Sequence, residues 1–216
     1  MQPDIIFLIV VLIVSTVLHE LAHGYMANAL GDPTARIAGR LTLNPLSHID
    51  LVGSILLPMF LYLSTGGGFM LGYAKPVPYN PYNLRGKYAE ALVAGAGPAM
   101  NILLAVIFSI LARETVGGAA TIETLPSIAI AFVGIVHINL ALALFNLIPI
   151  PPLDGSKVLS GILPGASGRA YDRFRFSLER LGVFSGALLI ILIFYFLFAS
   201  LFGILLDASF HLLTGF

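Results

Sequence analysis

The chain has 216 residues, of which 58% are hydrophobic and 10% charged, and its mean hydropathy is +0.96; a water-soluble globule of this composition would be short of polar surface. Eleven basic and eleven acidic residues give a formal net charge of zero, which removes the electrostatic footprint of a nucleic-acid-binding protein. With no cysteine, disulfides and thiolate metal sites are excluded, so any transition metal must take nitrogen and oxygen donors.

The first predicted element is a membrane-spanning helix over residues 5–30. From Ile5 to Leu18 it has no charged residue, and it then runs directly into His19-Glu20-Leu21-Ala22-His23. A spacing of four puts both imidazoles on one helix face, one turn apart, which is the geometry for gripping a single metal ion. Glu20, next to the first ring, is free to reach a metal-bound water. Ionisable groups at this depth are costly and default to a functional reading. One blander reading makes them interfacial polar residues at a helix end. Another is a signal peptide cleaved near Ala27-Asn28-Ala29, but Met1-Gln2-Pro3-Asp4 has no basic residue and the apolar run continues into the polar motif.

Residues 31–45 alternate between Gly and Pro boundaries and predict a small hairpin or edge strand. Residues 51–63 are apolar but short for a span, and Pro58 with Gly66-Gly67-Gly68 points to a re-entrant or broken segment. Residues 73–82 contain Pro76, Pro78 and Pro81, which forbid a sustained helix and predict an extended segment at the membrane surface, placed to cover the mouth of a site. Three further stretches, 91–112, 128–148 and 183–206, each have the roughly 20 largely apolar residues that a spanning helix needs. The expected fold is an all-α polytopic membrane protein. It has about four transmembrane helices, one short re-entrant or broken segment and small membrane-level β elements, forming a single membrane-embedded domain over residues 1–216.

Basic residues sort the loops. Arg36 and Arg40, then Lys75, Arg85 and Lys87, then Lys157, Arg169, Arg173, Arg175 and Arg180 fall in three connections, whereas Arg113 in the remaining one is accompanied by Glu114 and Glu123. The positive-inside tendency makes those three regions cytoplasmic, with residues 51–63 returning to the side they left. His19 to His23 then lie in the cytoplasmic half of the first span.

A catalytic zinc takes three protein ligands and keeps a position open for water. The third donor is sought in Asn146-Leu147-Ile148-Pro149-Ile150-Pro151-Pro152-Leu153-Asp154-Gly155, where prolines break an aliphatic helix and a single carboxylate follows. Asp154 reaches the same membrane level as the histidines. Asp50, with His48, is the weaker rival, and a cap or turn aspartate is the plain alternative for Asp154.

These two motifs together resemble the site-2 protease family of intramembrane zinc metalloproteases. Gly39-Arg40-Leu41-Thr42-Leu43-Asn44-Pro45, Ala74-Lys75-Pro76-Val77-Pro78 and Gly95-Ala96-Gly97-Pro98-Ala99-Met100-Asn101 look like its compact bacterial branch, without PDZ or CBS domains. The resemblance implies Zn2+ held by His19, His23 and Asp154, Glu20 as general base, and Asn146 near the reacting carbonyl. It also implies a bacterial cell membrane and a transmembrane or membrane-proximal protein substrate. That substrate would be taken as an extended strand beside residues 35–43 or 73–78. Zinc would lower the pKa of its water and polarise the scissile carbonyl, Glu20 would take the water proton, and an amide such as Asn146 would donate to the oxyanion.

Other intramembrane polar groups receive packing readings. His137 faces away from Asn146 on a regular helix, whereas Asn139 shares its face and is the better supporting residue. Gly95, Gly97 and Pro98 permit close helix approach; Asn101 is left between interhelical bonding and substrate positioning, and His211 is interfacial. A non-enzymatic metal-binding membrane protein such as a metal transporter is the rival function. An inactive adaptor that binds transmembrane helices is the third, against which the intact His19–His23 motif and Asp154 argue.

Overall fold

The computed structural model describes residues 5–56, 59, 63, 74–116, 126–180 and 199–215. Helix α1, Ile5–Ala29, opens on an unbroken apolar run from Ile5 to Val14, and a helix is the form in which a lone segment satisfies its own backbone in lipid. Its inner face is a stripe at four-residue spacing, Val11, Ser15, His19, His23 and Ala27, all buried, while Ile9, Val10, Ile13 and Val14 are exposed on the other side. The other helices are α2 (Thr34–Ile37), α3 (Ala89–Val116), α4 (Ser127–Asn146), α5 (Asp154–Ile162), α6 (Gly165–Glu179) and α7 (Ala199–Thr214).

Helix α3 is the hub, packed against α1, α4, α5 and α7. Its buried face is written in small residues, Ala94, Gly97, Asn101, Ala105, Ser109 and Ala112, which lets neighbouring backbones come close where lipid supplies no hydrophobic drive between helices. A cluster of Ala105, Val136, Leu140 and Leu206, flanked by Phe108, Phe202 and Phe210, joins α3, α4 and α7. Outside the bundle core, Glu90 and Arg175 pair at 3.2 Å to tie α6 to α3.

Three helices are long and apolar enough to cross a membrane, Ile6–Ala29, Ala89–Val116 and Ser127–Asn146. Most of the expected fourth span, 183–206, lies outside the described residues, with α7 covering its end. Pro58, the glycines at 66–68, Tyr73 and Glu123 also lie outside them. Residues 51–56 form a π-helical turn, Leu51–Leu56, begun by Asp50, whose carboxylate accepts from the backbone N–H groups of Val52 and Gly53. The backbone N–H of Arg85, just before α3, donates to the carbonyl of Leu30 at the end of α1. The connection from 31 to 84 therefore starts and finishes at one end of the bundle.

No strand forms among the described residues, and the expected hairpin over 31–45 is replaced by α2, a turn at Gly39 with φ 64°, irregular chain, and a single 3-10 turn, Pro45–His48. The reason is local. Asp32 Oδ1 accepts from both the N–H and the hydroxyl of Thr34, a capping pattern that starts a helical turn before any strand pairing can compete. Residues 74–80 are extended without helix, as their prolines dictate. The N–H of Lys75 donates to the carbonyl of His48, and the Arg40 guanidinium reaches the carbonyl of Lys75.

Asp32 fastens this connection to α1. Fully buried, it accepts from Thr34, from the N–H of Asn80 at 2.6 Å and from the side-chain amide of Asn83 at 2.9 Å. Burial opposes its ionisation, yet these donors outweigh that and hold its carboxyl below the usual range. A depressed carboxyl stabilises the fold above its unfolded-state pKa and stops doing so as pH falls through the folded value. Asp32→Ala strands those donors and is expected to cost about 1–3 kcal/mol of stability at neutral pH. In thermal melts of the purified protein, the deficit should shrink as pH drops below the normal carboxylate range; a pH-independent deficit would refute the assignment.

Candidate metal centre

Three polar groups meet where α1, α3 and α5 pack together. His19 and His23 Nε2 lie 3.1 Å apart, and Asp154 Oδ2 lies 3.1 Å from the first and 3.3 Å from the second. The rings stand nearly perpendicular, with centroids 4.7 Å apart. His19, His23 and Asp154 form a group able to hold a metal ion.

The donor set fits zinc. Bonds of about 2.0–2.2 Å to a tetrahedral centre require donor atoms roughly 3.3 Å apart, close to the separations here. Each imidazole is also anchored through its far nitrogen. His23 Nδ1 faces the carbonyl of Val93 at 2.7 Å and His19 Nδ1 faces Asn101 Oδ1 at 2.6 Å, which turns both Nε2 atoms inward. Gly97 on α3 completes the cradle: a Cβ there would lie 2.6 Å from His19 Nε2.

Asp154 is delivered by a constrained corner. Helix α4 ends at Asn146, prolines 149, 151 and 152 prevent its continuation, and α5 restarts at Asp154 itself. Gly155 must follow, because a side chain there would drive into the carbonyls of Leu147 and Ile148.

The sequence-predicted residues divide accordingly. His19, His23 and Asp154 come together. Glu20, one residue from the first imidazole, turns to the neighbouring face, where its Oε2 accepts from the N–H of Val77 at 2.8 Å. Val77 is buried beside Gly24, at which a Cβ would lie 2.8 Å from Val77 Cγ1, so the extended segment rests directly on α1 next to His23. Asn146 donates to the carbonyl of Leu142 in its own helix. The rival pair is occupied locally, His48 with the carbonyl of Thr42 and Asp50 with its own turn. His137 sits edge-on to Phe210 at 5.9 Å, a packing contact. Sequence reasoning left Asn101 open and gave Gly97 only a packing role. Their spacing of four, matching His19 and His23, is the signal that placed them opposite the imidazoles.

Apolar helices of spanning length around a His-His-carboxylate centre are those of a membrane protein able to hold a metal ion. The chain belongs to peptidase family M50, whose model matches residues 7–127 and 113–193. Among its relatives, YwhC of Bacillus subtilis, named as a zinc metalloprotease, is 40% identical over 161 residues, covering 73% of this chain and 69% of that protein. Rip2 of Mycolicibacterium smegmatis, named likewise, is 34% identical over 158 residues, covering 73% of this chain and 58% of the relative. A further zinc-metalloprotease name, MJ0611 of Methanocaldococcus jannaschii, matches at 44% over 69 residues, 31% of each chain. No solved structure matches. Family and relatives together make this a zinc metalloprotease with helices of membrane-spanning length.

The Gly97 cradle can be tested against its neighbour. Gly97→Ala is expected to strip bound zinc, measured by metal analysis of the purified protein. Gly95→Ala, whose Cβ would meet only Val158 at 3.9 Å, should keep it. Equal zinc content in the two would show that the close approach of α3 does not shape the centre.

Proposed function

We propose that the protein hydrolyses peptide bonds within or next to transmembrane segments of other proteins, using zinc held by His19, His23 and Asp154. The observation that carries this reading is the convergence of those three donors inside a lipid-facing bundle. Bound zinc would supply an acidified water and a polarised scissile carbonyl.

The chain's own residues supply the rest. Glu20 accepts the proton of the attacking water as the oxygen adds to the carbonyl carbon. It then passes that proton to the amide nitrogen as the C–N bond breaks, releasing a carboxylic acid and an amine. The Val77 N–H holds one carboxylate oxygen of Glu20 in place, and a base needs only the other. Asn146, at the end of α4, is the candidate donor to the oxyanion. Reaching that role requires its amide to leave the Leu142 carbonyl.

Substrate must arrive unwound, because a helix hides its carbonyls. Residues 34–37 are helical and 38–39 turn here, which shortens the first of the two candidate edges to 40–43 and favours the extended chain at 74–78 for strand addition. The end of the bundle that carries Arg36, Arg40, Arg85 and Lys157 is assigned to the cytoplasmic side of a bacterial cell membrane, so the site opens there.

The test compares wild type with Glu20→Gln on transmembrane peptides in bilayers, with zinc measured in both. Glu20→Gln should keep its metal and lose cleavage by about 10²–10⁴-fold, the usual contribution of a general base. A variant that keeps both zinc and activity would remove Glu20 from the chemistry, and a wild type that holds zinc without cutting any peptide would remove the protease reading.

A further inference from the structure

We propose that Asn139 on α4 sets the ring tautomer of His19 on α1, acting through Asn101 on α3, and so keeps the inner nitrogen of His19 free for the metal. The inference rests on the reading of His19 as a zinc ligand.

The carbonyl of Ile135 can only accept, and Asn139 Nδ2 lies 2.9 Å from it and 3.0 Å from Ser15 Oγ. A carboxamide has one donor end and one acceptor end, so Asn139 must turn its oxygen the other way. That oxygen receives Asn101 Nδ2 at 2.9 Å, with the carbonyl of Ser15 a weaker second acceptor at 3.5 Å. Asn101 Oδ1 is then the atom left facing His19 Nδ1, at 2.6 Å. Having only lone pairs to offer, it requires the His19 proton to sit on Nδ1. The lone pair of Nε2 consequently faces Asp154 and His23.

Reversing either amide would present an NH2 group to His19 and move the ring proton to Nε2, into the metal position. Asn101 and Asn139 have no exposed surface and Ser15 is 3% exposed, so water does not compensate for a wrong orientation. The Ser15 hydroxyl carries no direction of its own, since it both donates and accepts. Direction comes from the Ile135 carbonyl, seconded at Asn101 by the more distant Ser15 carbonyl, and crosses three helices. His23 needs no such relay, because its Nδ1 meets a backbone carbonyl directly.

Asn139 is thus a positioning residue, and the experiment separates this role from packing. Zn2+ affinity is measured by chelator competition on the purified full chain in detergent, and the Co2+ absorption spectrum reports ligand geometry. Asn139→Leu, which frees Asn101 to flip, is expected to weaken Zn2+ binding about 10–100-fold, the usual effect of losing an outer partner of a metal-bound histidine. Asn139→Asp still accepts from Asn101 and should bind within a few-fold of wild type. Adding Asn101→Asp to Asn139→Leu should restore affinity and spectrum, because a carboxylate accepts from His19 whichever way it turns. The proposal is overturned if Asn139→Leu binds as wild type, or if its loss survives Asn101→Asp. Should Asn139→Leu not fold, weak binding by Asn139→Asp overturns it by itself. His23→Ala serves as the reference: if it binds Zn2+ as tightly as wild type, the metal is held elsewhere and the reading of the site falls with the relay.

Discussion

The carboxylate of Asp154 faces the two imidazoles of α1 at hydrogen-bond distance, and most of the architecture exists to make that meeting possible. A polar group inside a bundle that water does not reach must find its partners within the protein. His19 and His23 cannot be satisfied by α1, so α1 is not a complete unit. It needs the Val93 carbonyl and Asn101 from α3, and the carboxylate at the start of α5. Removing any one of these would leave the others buried with unmet hydrogen-bonding demand, which is why helices distant in sequence are held in one arrangement.

That demand also explains the composition of α3. Between helices in lipid there is little hydrophobic gain from association, and what remains is close packing together with hydrogen bonds worth about 0.6–2 kcal/mol each. Gly97 and Ala105 provide the first, and Asn101, bonded to both α1 and α4, the second. The stripe of small residues is therefore more than a packing surface: at Gly97 the absent side chain is the space in which the imidazole nitrogens lie.

Much of this was legible in the chain. Two histidines one turn apart within an apolar run, and one carboxylate after a proline-broken helix, can be read from spacing and from the cost of burying ionisable groups. The prolines of residues 74–80 likewise announced extended chain. The region after α1 was misread because alternation was weighed above the Asp32–Thr34 cap, a three-residue interaction that decides the turn before strand pairing is available. Asn139 was recognised as a supporting residue by its shared face with Asn146, yet its partner proved to be Asn101. Spacing gives the face of a helix and does not give the neighbour it meets. The tautomer relay was beyond reach for the same reason, since it depends on amide directions fixed by a carbonyl on a third helix.

Glu20 stands apart from the metal-facing groups, and its placement depends on chain that belongs to no long helix. Its carboxylate is held by Val77, while Asn80, three residues on, is held by Asp32 at the foot of α1. Arg40 reaches the carbonyls of Lys75 and Pro76 from the other side, and Gly24 lets Val77 settle against α1. The buried Asp32 thus fixes the register of the segment that orients Glu20, the base of the proposed reaction, although it bonds to none of His19, His23 and Asp154. Extended chain without a paired strand has few hydrogen bonds of its own and is the softer part of such a structure. It is fastened by Lys75 to His48, by Val77 to Glu20 and by Asn80 to Asp32, and no strand pairs with it among the described residues. In the proposed reaction, that arrangement would keep Glu20 oriented while a substrate strand approaches.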